Sequence, residues 1–226
     1  MDKKTVDKLN QLNKEFYLKT QEYFNRTRQY YWKGWGKLLP YLPRRQADLQ
    51  GQALKVLDVG CGNGRFGKFL IENDFDIKYV GIDSNQYLLD EAKKAVLDGS
   101  FINQDLLDDW QIKGKFDLIA ISGVLHHFKP EKAAKILKKA VKKIKGKGVL
   151  FLSFWQFDKA KDAKKLKDLE NNDYIVDWQK GVKAERYCHL YKDEEINKLL
   201  KNVKLKKLKD YQDDGSNKYI ILKQVN

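Results

Sequence analysis

The sequence is short of the residues that staple small folds. Of 226 residues, two are Cys, three are Pro, one is Met and three are His. Cys61 and Cys188 cannot build a disulfide framework or, by themselves, a zinc site. No metal is therefore expected, and the reducing cytoplasm is the expected compartment. No apolar run approaches the roughly 18 residues of a transmembrane span, so no membrane role is expected. Met1-Asp2-Lys3-Lys4 leads into polar sequence with no apolar stretch of the kind a signal peptide carries. Repeats and low-complexity linkers are also missing. Acidic residues are in the minority: 31 against 45 Lys+Arg, a formal net charge of +14. That balance points to an anionic partner, nucleic acid first. With 42% apolar residues the chain can bury a core of its own.

Elements alternate along the chain. Loose helical spacing over 4–24 predicts an N-terminal helix, followed by an aromatic and basic cluster from Phe24 to Trp35 that Pro40 and Pro43 close. Apolar runs predict buried strands at Leu54–Val59 and Phe116–Ser122, with further strands at Lys78–Ile82, Ser100–Gln104 and Val149–Phe154. Between them fall helices at Arg65–Asn73, Gln86–Leu97 and Pro130–Lys145, the last with Ala133, Leu137, Ala140, Val141 and Ile144 on one face and lysines on the other. A helix at Asp193–Lys201 precedes strands near Val203–Leu208 and Lys218–Leu222. The order implies an α/β fold, a doubly wound, mostly parallel sheet with helices on both faces. The last two strands lie close enough to form a hairpin across Asp213-Asp214-Gly215-Ser216, which makes one strand antiparallel.

The strongest motif is Asp58-Val59-Gly60-Cys61-Gly62-Asn63-Gly64, between a buried strand and a helix. Open α/β sheets bind ligands at that turn. The spacing G-x-G-x-G, with Arg65 where a dinucleotide fingerprint has Gly, departs from the pyrophosphate loop. Asp58 would repel a pyrophosphate and suits a ligand carrying positive charge. Asp83 follows 19 residues after Gly64, at the end of the second strand, and Asp105 ends the third.

This set resembles motif I and the following strand ends of the class I S-adenosylmethionine-dependent methyltransferases, over about residues 50–155. The resemblance implies the Rossmann-like seven-stranded fold of that class and S-adenosylmethionine as cofactor. It assigns to the cofactor Asp58, Gly60, Cys61, Gly62, Asn63, Gly64, Asp83, Ser84, Asp105, Leu106 and Ser122. Asp83 would take the ribose hydroxyls and Asp105 the adenine amino group, with Leu106 and Gln86 packing around them. Ser122, Gly123 and Val124 fall where the family places its methionine-side contacts.

Two further stretches carry a narrower resemblance. Phe24-Asn25-Arg26-Thr27-Arg28 with Tyr31, Trp32 and Trp35, and Asp173–Trp178 with Glu185-Arg186-Tyr187-Cys188-His189-Leu190-Tyr191, are similar to the tRNA methyltransferases that esterify carboxymethyluridine at the wobble position. Cys188 stands where that family usually has Tyr, and Tyr191 where it has Phe. The resemblance implies tRNA as partner and, for eukaryotic members, a small activator subunit. A carboxylate nucleophile, with a pKa of about 4, is ionised at neutral pH and needs no base. It needs donors that hold it, and Arg186 and His189 are the first candidates, with Arg26 and Arg28 beside them. Arg28 is placed with the cofactor residues, substrate contact being its alternative. An amine or hydroxyl nucleophile would need a base, and His126 or His127 would supply it. Residues 1–45 are then an N-terminal helical cap, 46–226 the methyltransferase domain, and the insertion at about 156–192 part of the substrate wall. The alternatives are a small-molecule or lipid O/N-methyltransferase on the same core, and a non-catalytic cofactor-binding scaffold.

Overall fold

A computed structural model describes residues 3–43, 51–157, 163–164, 172–201, 203–213 and 216–224. The proposed boundary near 45–46 and much of 156–171 lie outside the described residues. The body is a seven-stranded sheet built from β1 (Leu54–Val59), β2 (Ile77–Asp83), β3 (Ser100–Asn103), β4 (Phe116–Ser122), β5 (Ile144–Trp155), β9 (Leu205–Gln212) and β10 (Asn217–Gln224). Their order is β3-β2-β1-β4-β5-β10-β9. β10 runs antiparallel to both β5 and β9, and the remaining pairings are parallel. The expected hairpin and the Rossmann-like architecture are both present.

The apolar runs are continuous because both faces of the sheet are covered. Along β4, Ile119 and Ile121 meet α4 (Pro130–Val141) through Ala133, Ile136 and Leu137. Leu118 and Ala120 meet the opposite layer, where Phe66, Phe69 and Leu70 of α2 (Arg65–Glu72) pack with Trp35 and Leu38. α3 (Gln86–Ala95) and α5 (Asp193–Lys201) complete the cover.

α4 ends four residues earlier than its periodicity predicts. The Phe116 amide donates to the Lys143 carbonyl (2.8 Å), and Ile144 pairs with Phe116, so sheet pairing captures the segment that helical spacing would have kept. β5 then absorbs Gly146–Gly148 as an irregularity, with Lys147 at φ 65°.

Two parts stand outside this body. α1 (Lys3–Thr27) buries Val6, Leu9, Asn13, Phe16 and Thr20, a 3-4-3-4 seam with two polar members. The insertion contains a second, antiparallel sheet of β6 (Ala163–Lys164), β7 (Asp173–Trp178) and β8 (Ala184–His189). These strands are absent from the expectation for the insertion, which the sequence offers only as part of a substrate wall. α1 lies across β8 and α3 and joins the insertion to the body.

Candidate active site

The floor is the loop after β1. Gly60, Gly62 and Gly64 all take left-handed φ (71°, 53° and 74°), where a side chain is strained. A Cβ at Gly60 would lie 2.5 Å from Val124, and one at Gly64 3.0 Å from Ala92, so these two let β4 and α3 close on the loop. A Cβ at Gly62 would meet nothing, because that side opens into the cavity.

The Asp83 carboxylate holds the loop: it accepts from the Gly62 amide (2.9 Å) and the Asn85 amide (2.9 Å). Asn85, rather than Asp83 or Ser84, caps α3 by accepting from Leu88 N (3.0 Å). Ser84 lines the cavity. Asp58 accepts from the Tyr79 hydroxyl (2.7 Å), and burial, reinforced by Asp83, pushes it up to about 7. Asp105 accepts from the Leu107 amide (2.8 Å) and pairs with Lys14 of α1 (2.7 Å). Leu106 is buried beside it. Ser122 accepts from Trp35 Nε1 (3.1 Å) and meets Ser153 (3.1 Å).

Asn63 gives its amide to Asn25 Oδ1 (2.8 Å) and the Arg28 carbonyl (3.2 Å), so it ties the end of α1 to the loop. Burial raises the Cys61 thiol well above its ordinary range, which leaves it an inert packing group. Gln86 bonds Asn103 (2.7 Å) and does not line the cavity.

Above this floor is a cavity of about 300 Å³, walled by α1, the Trp32–Trp35 turn and β8. Arg28, Arg65 and Arg186 all line it, and none has a carboxylate partner among the described residues. The Arg186 guanidinium lies over Phe16 (5.0 Å) and Trp155 (4.8 Å), is 7% exposed, and has a buried Nε without a partner. Its charge reaches the Tyr17 hydroxyl, which is 2.7 Å from His127 Nε2. His127 Nδ1 faces the Tyr187 carbonyl (3.4 Å). With Nδ1–H on that carbonyl, Nε2 accepts from Tyr17. Burial and Arg186 push His127 down to about 3. Burial, His127 and Arg186 hold His126 well below its usual range. Both imidazoles are neutral and poor bases. His126, His127 and Cys188 bring possible ligand atoms within 4.8 Å of one another, but the Arg186 charge beside them opposes a cation.

His189 is not in the cavity. In a strand, successive side chains face opposite ways, so residues three apart in β8 diverge. Arg186 faces the cavity, while His189 meets Asp173 (2.7 Å) and Glu195 (3.1 Å) on the other side. Lys129 (2.7 Å) and the Tyr187 hydroxyl (2.5 Å) complete that buried network. Closeness in sequence groups His189 with Arg186, and the period of the strand separates them.

Residues 56–148 match a family described as a methyltransferase domain. The chain is a class I S-adenosylmethionine-dependent methyltransferase. A protein of Encephalitozoon cuniculi named as a methyltransferase is 28% identical to it over 180 residues, 78% of each chain. The ubiquinone biosynthesis O-methyltransferase of Candida albicans is 28% identical over 116 residues, 49% of this chain and 35% of that protein. The carboxy-S-adenosyl-L-methionine synthase of Campylobacter jejuni is 29% identical over 103 residues, 43% of each chain. Among solved structures, the PH0226 protein of Pyrococcus horikoshii shares the fold over the whole of both chains (TM-score 0.65, 17% identity). Magnesium protoporphyrin IX methyltransferase of Synechocystis, with its cofactor bound, does so over 92% of this chain and 94% of that one (TM-score 0.62, 18% identity). The methyltransferase's cavity fits S-adenosylmethionine by its donor set: an open glycine turn and carboxylates at the ends of β1, β2 and β3, suited to a cationic nucleoside. No helix among the described residues is long and apolar enough to cross a membrane.

Proposed function

We propose that this methyltransferase esterifies a carboxylate, and that the carboxylate is the carboxymethyl group of a wobble uridine in tRNA. The observation that carries this reading is Arg186: a buried, aromatic-caged guanidinium with an unpartnered Nε, aimed into the cavity. Such a cation is costly unless an anion joins it, and the guanidinium fork matches a carboxylate. His126 and His127, held neutral well below their usual range, are poor proton acceptors, which favours a nucleophile that arrives ionised.

S-adenosylmethionine supplies the methyl group when bound. In this reading Asp58 faces its amino group, Asp83 its ribose, and Asp105 with Leu106 its adenine. Arg186 orients the substrate carboxylate without taking a proton, and the site works by alignment. Resemblance of Phe24–Arg28 and Glu185–Tyr191 to the wobble-uridine enzymes, and the +14 charge, support tRNA. The second reading, a small carboxylic acid, is favoured by the cover of α1 and Trp32 over the cavity and by the small-molecule O-methyltransferase among the relatives.

Labelled cofactor is offered to tRNA carrying free carboxymethyluridine, and the product is treated with mild alkali. Label that enters tRNA and leaves as methanol is the expected result. Label that resists alkali would overturn the ester. No transfer, with S-adenosylhomocysteine still bound and the family's activator subunit supplied, would overturn the tRNA substrate in favour of a small acid.

A further inference from the structure

Three guanidinium groups share one cavity, none of them paired with a carboxylate among the described residues, yet the cofactor brings a single carboxylate. We infer that Arg65 holds the cofactor's carboxylate, and that Arg28 and Arg186 form a two-guanidinium clamp for a substrate anion. The second half rests on the carboxylate reading above; the first does not.

Position divides the three. Arg65 is the first residue of α2, directly after Gly64. Its guanidinium carbon is 4.7 Å from the Trp32 ring and 5.2 Å from Trp35, and Nη1 donates to the Tyr30 carbonyl (3.0 Å). It is near enough to Asp58 for each to feel the other's charge. The amino and carboxylate groups of the cofactor's methionine sit on one carbon. An ammonium at Asp58 therefore puts the carboxylate beside the same loop, where Arg65 stands.

Arg28 stands on the other side, against the insertion. Its guanidinium carbon lies 5.4 Å from Phe24 and 5.6 Å from Trp178 of β7. Trp178 packs edge-on against Phe16 (5.8 Å), which is also under Arg186. Arg28 and Arg186 repel each other, and Arg28 repels Arg65 as well. A carboxylate offers two oxygens with about four acceptor sites, so one substrate anion can serve two guanidiniums and relieve that repulsion. Arg28 thus moves from the cofactor set, where its sequence context placed it, to the substrate set.

The cofactor half is tested by calorimetric titration with S-adenosylhomocysteine and with 5′-methylthioadenosine, which lacks the amino acid. Arg65→Gln should weaken S-adenosylhomocysteine by about 10- to 100-fold and leave methylthioadenosine within about twofold. Arg28→Gln should leave both within about twofold. A loss specific to S-adenosylhomocysteine in Arg28→Gln but not Arg65→Gln overturns the division.

The clamp is tested on the S-adenosylhomocysteine-saturated protein, using malonate as the anion at constant ionic strength. Malonate should raise the Tm of the wild type and of Arg65→Gln, and should do so far less for Arg28→Gln or Arg186→Gln. An Arg28→Gln protein that responds like wild type, or a wild type that does not respond, overturns the clamp. A clamp that responds in a protein that methylates no tRNA would leave the clamp standing and sink only the tRNA substrate.

Discussion

The charge of Asp58 depends on what fills the cavity. Burial and Asp83 raise it from 3.8 to about 7, so near neutrality it holds a proton in the folded chain for much of the time. Between those two values the unfolded chain has released that proton and the folded chain has not. Stability of the unliganded protein therefore falls as pH rises through that window. A cofactor ammonium placed beside Asp58 reverses the preference and expels the proton. Affinity for S-adenosylhomocysteine should accordingly increase between pH 6 and pH 8, with proton release detectable as a buffer-dependent binding enthalpy. Asp58→Asn should flatten that pH dependence. A slope unchanged in the variant would assign the proton to another group.

At the scale of elements, the decisive joint is a single amide. Asn13 of α1 accepts from the Tyr187 amide (2.7 Å) and donates to the carbonyls of Tyr187 (3.1 Å) and His127 (3.0 Å). It thereby registers the cap helix against the strand carrying Arg186 and the turn carrying the histidines. Asn13→Ala leaves buried backbone groups unpaired and should cost about 2–4 kcal/mol in denaturant unfolding. A loss below about 0.5 kcal/mol would mean water replaces the amide. Such joints explain what the sequence did and did not disclose. The Gly60–Gly64 loop, Asp83 and Asp105 were legible because short-range spacing fixes strand, turn and helix. Asn13 and Lys14 were not: on a helix they read as one polar seam position and one exposed charge, and their partners lie far along the chain. The placement of His189 away from the cavity is hidden for the complementary reason, since a face can be assigned only after the period is known.

At the scale of the whole molecule, the excess of lysine has at least two uses. Some lysines are structural: Lys139 caps the carbonyls of Leu106 (3.2 Å), Leu107 (2.8 Å) and Asp108, and Lys143 caps Ile112. Others guard an edge. β9 ends the sheet, and Lys206, Lys207 and Lys209 are exposed along it, where charge discourages pairing with another chain. The same stretch, with six lysines and no acid over 198–209, offers a phosphate track as its alternative role. Replacing all three with Thr should promote self-association, read by light scattering at rising concentration. A variant that stays dispersed but binds tRNA with a shallower salt dependence would restore the phosphate role.

The Asn13 joint also bears on inheritance. The floor of the site is encoded in the middle of the chain, the roof at its beginning, and the far wall near its end. Roof and wall meet through the Tyr187 backbone, so neither can drift alone without breaking the joint. A chimera that exchanged residues 3–35 or 172–191 singly with a relative would inherit a broken enzyme. One that exchanged both would inherit a new substrate on an old cofactor site.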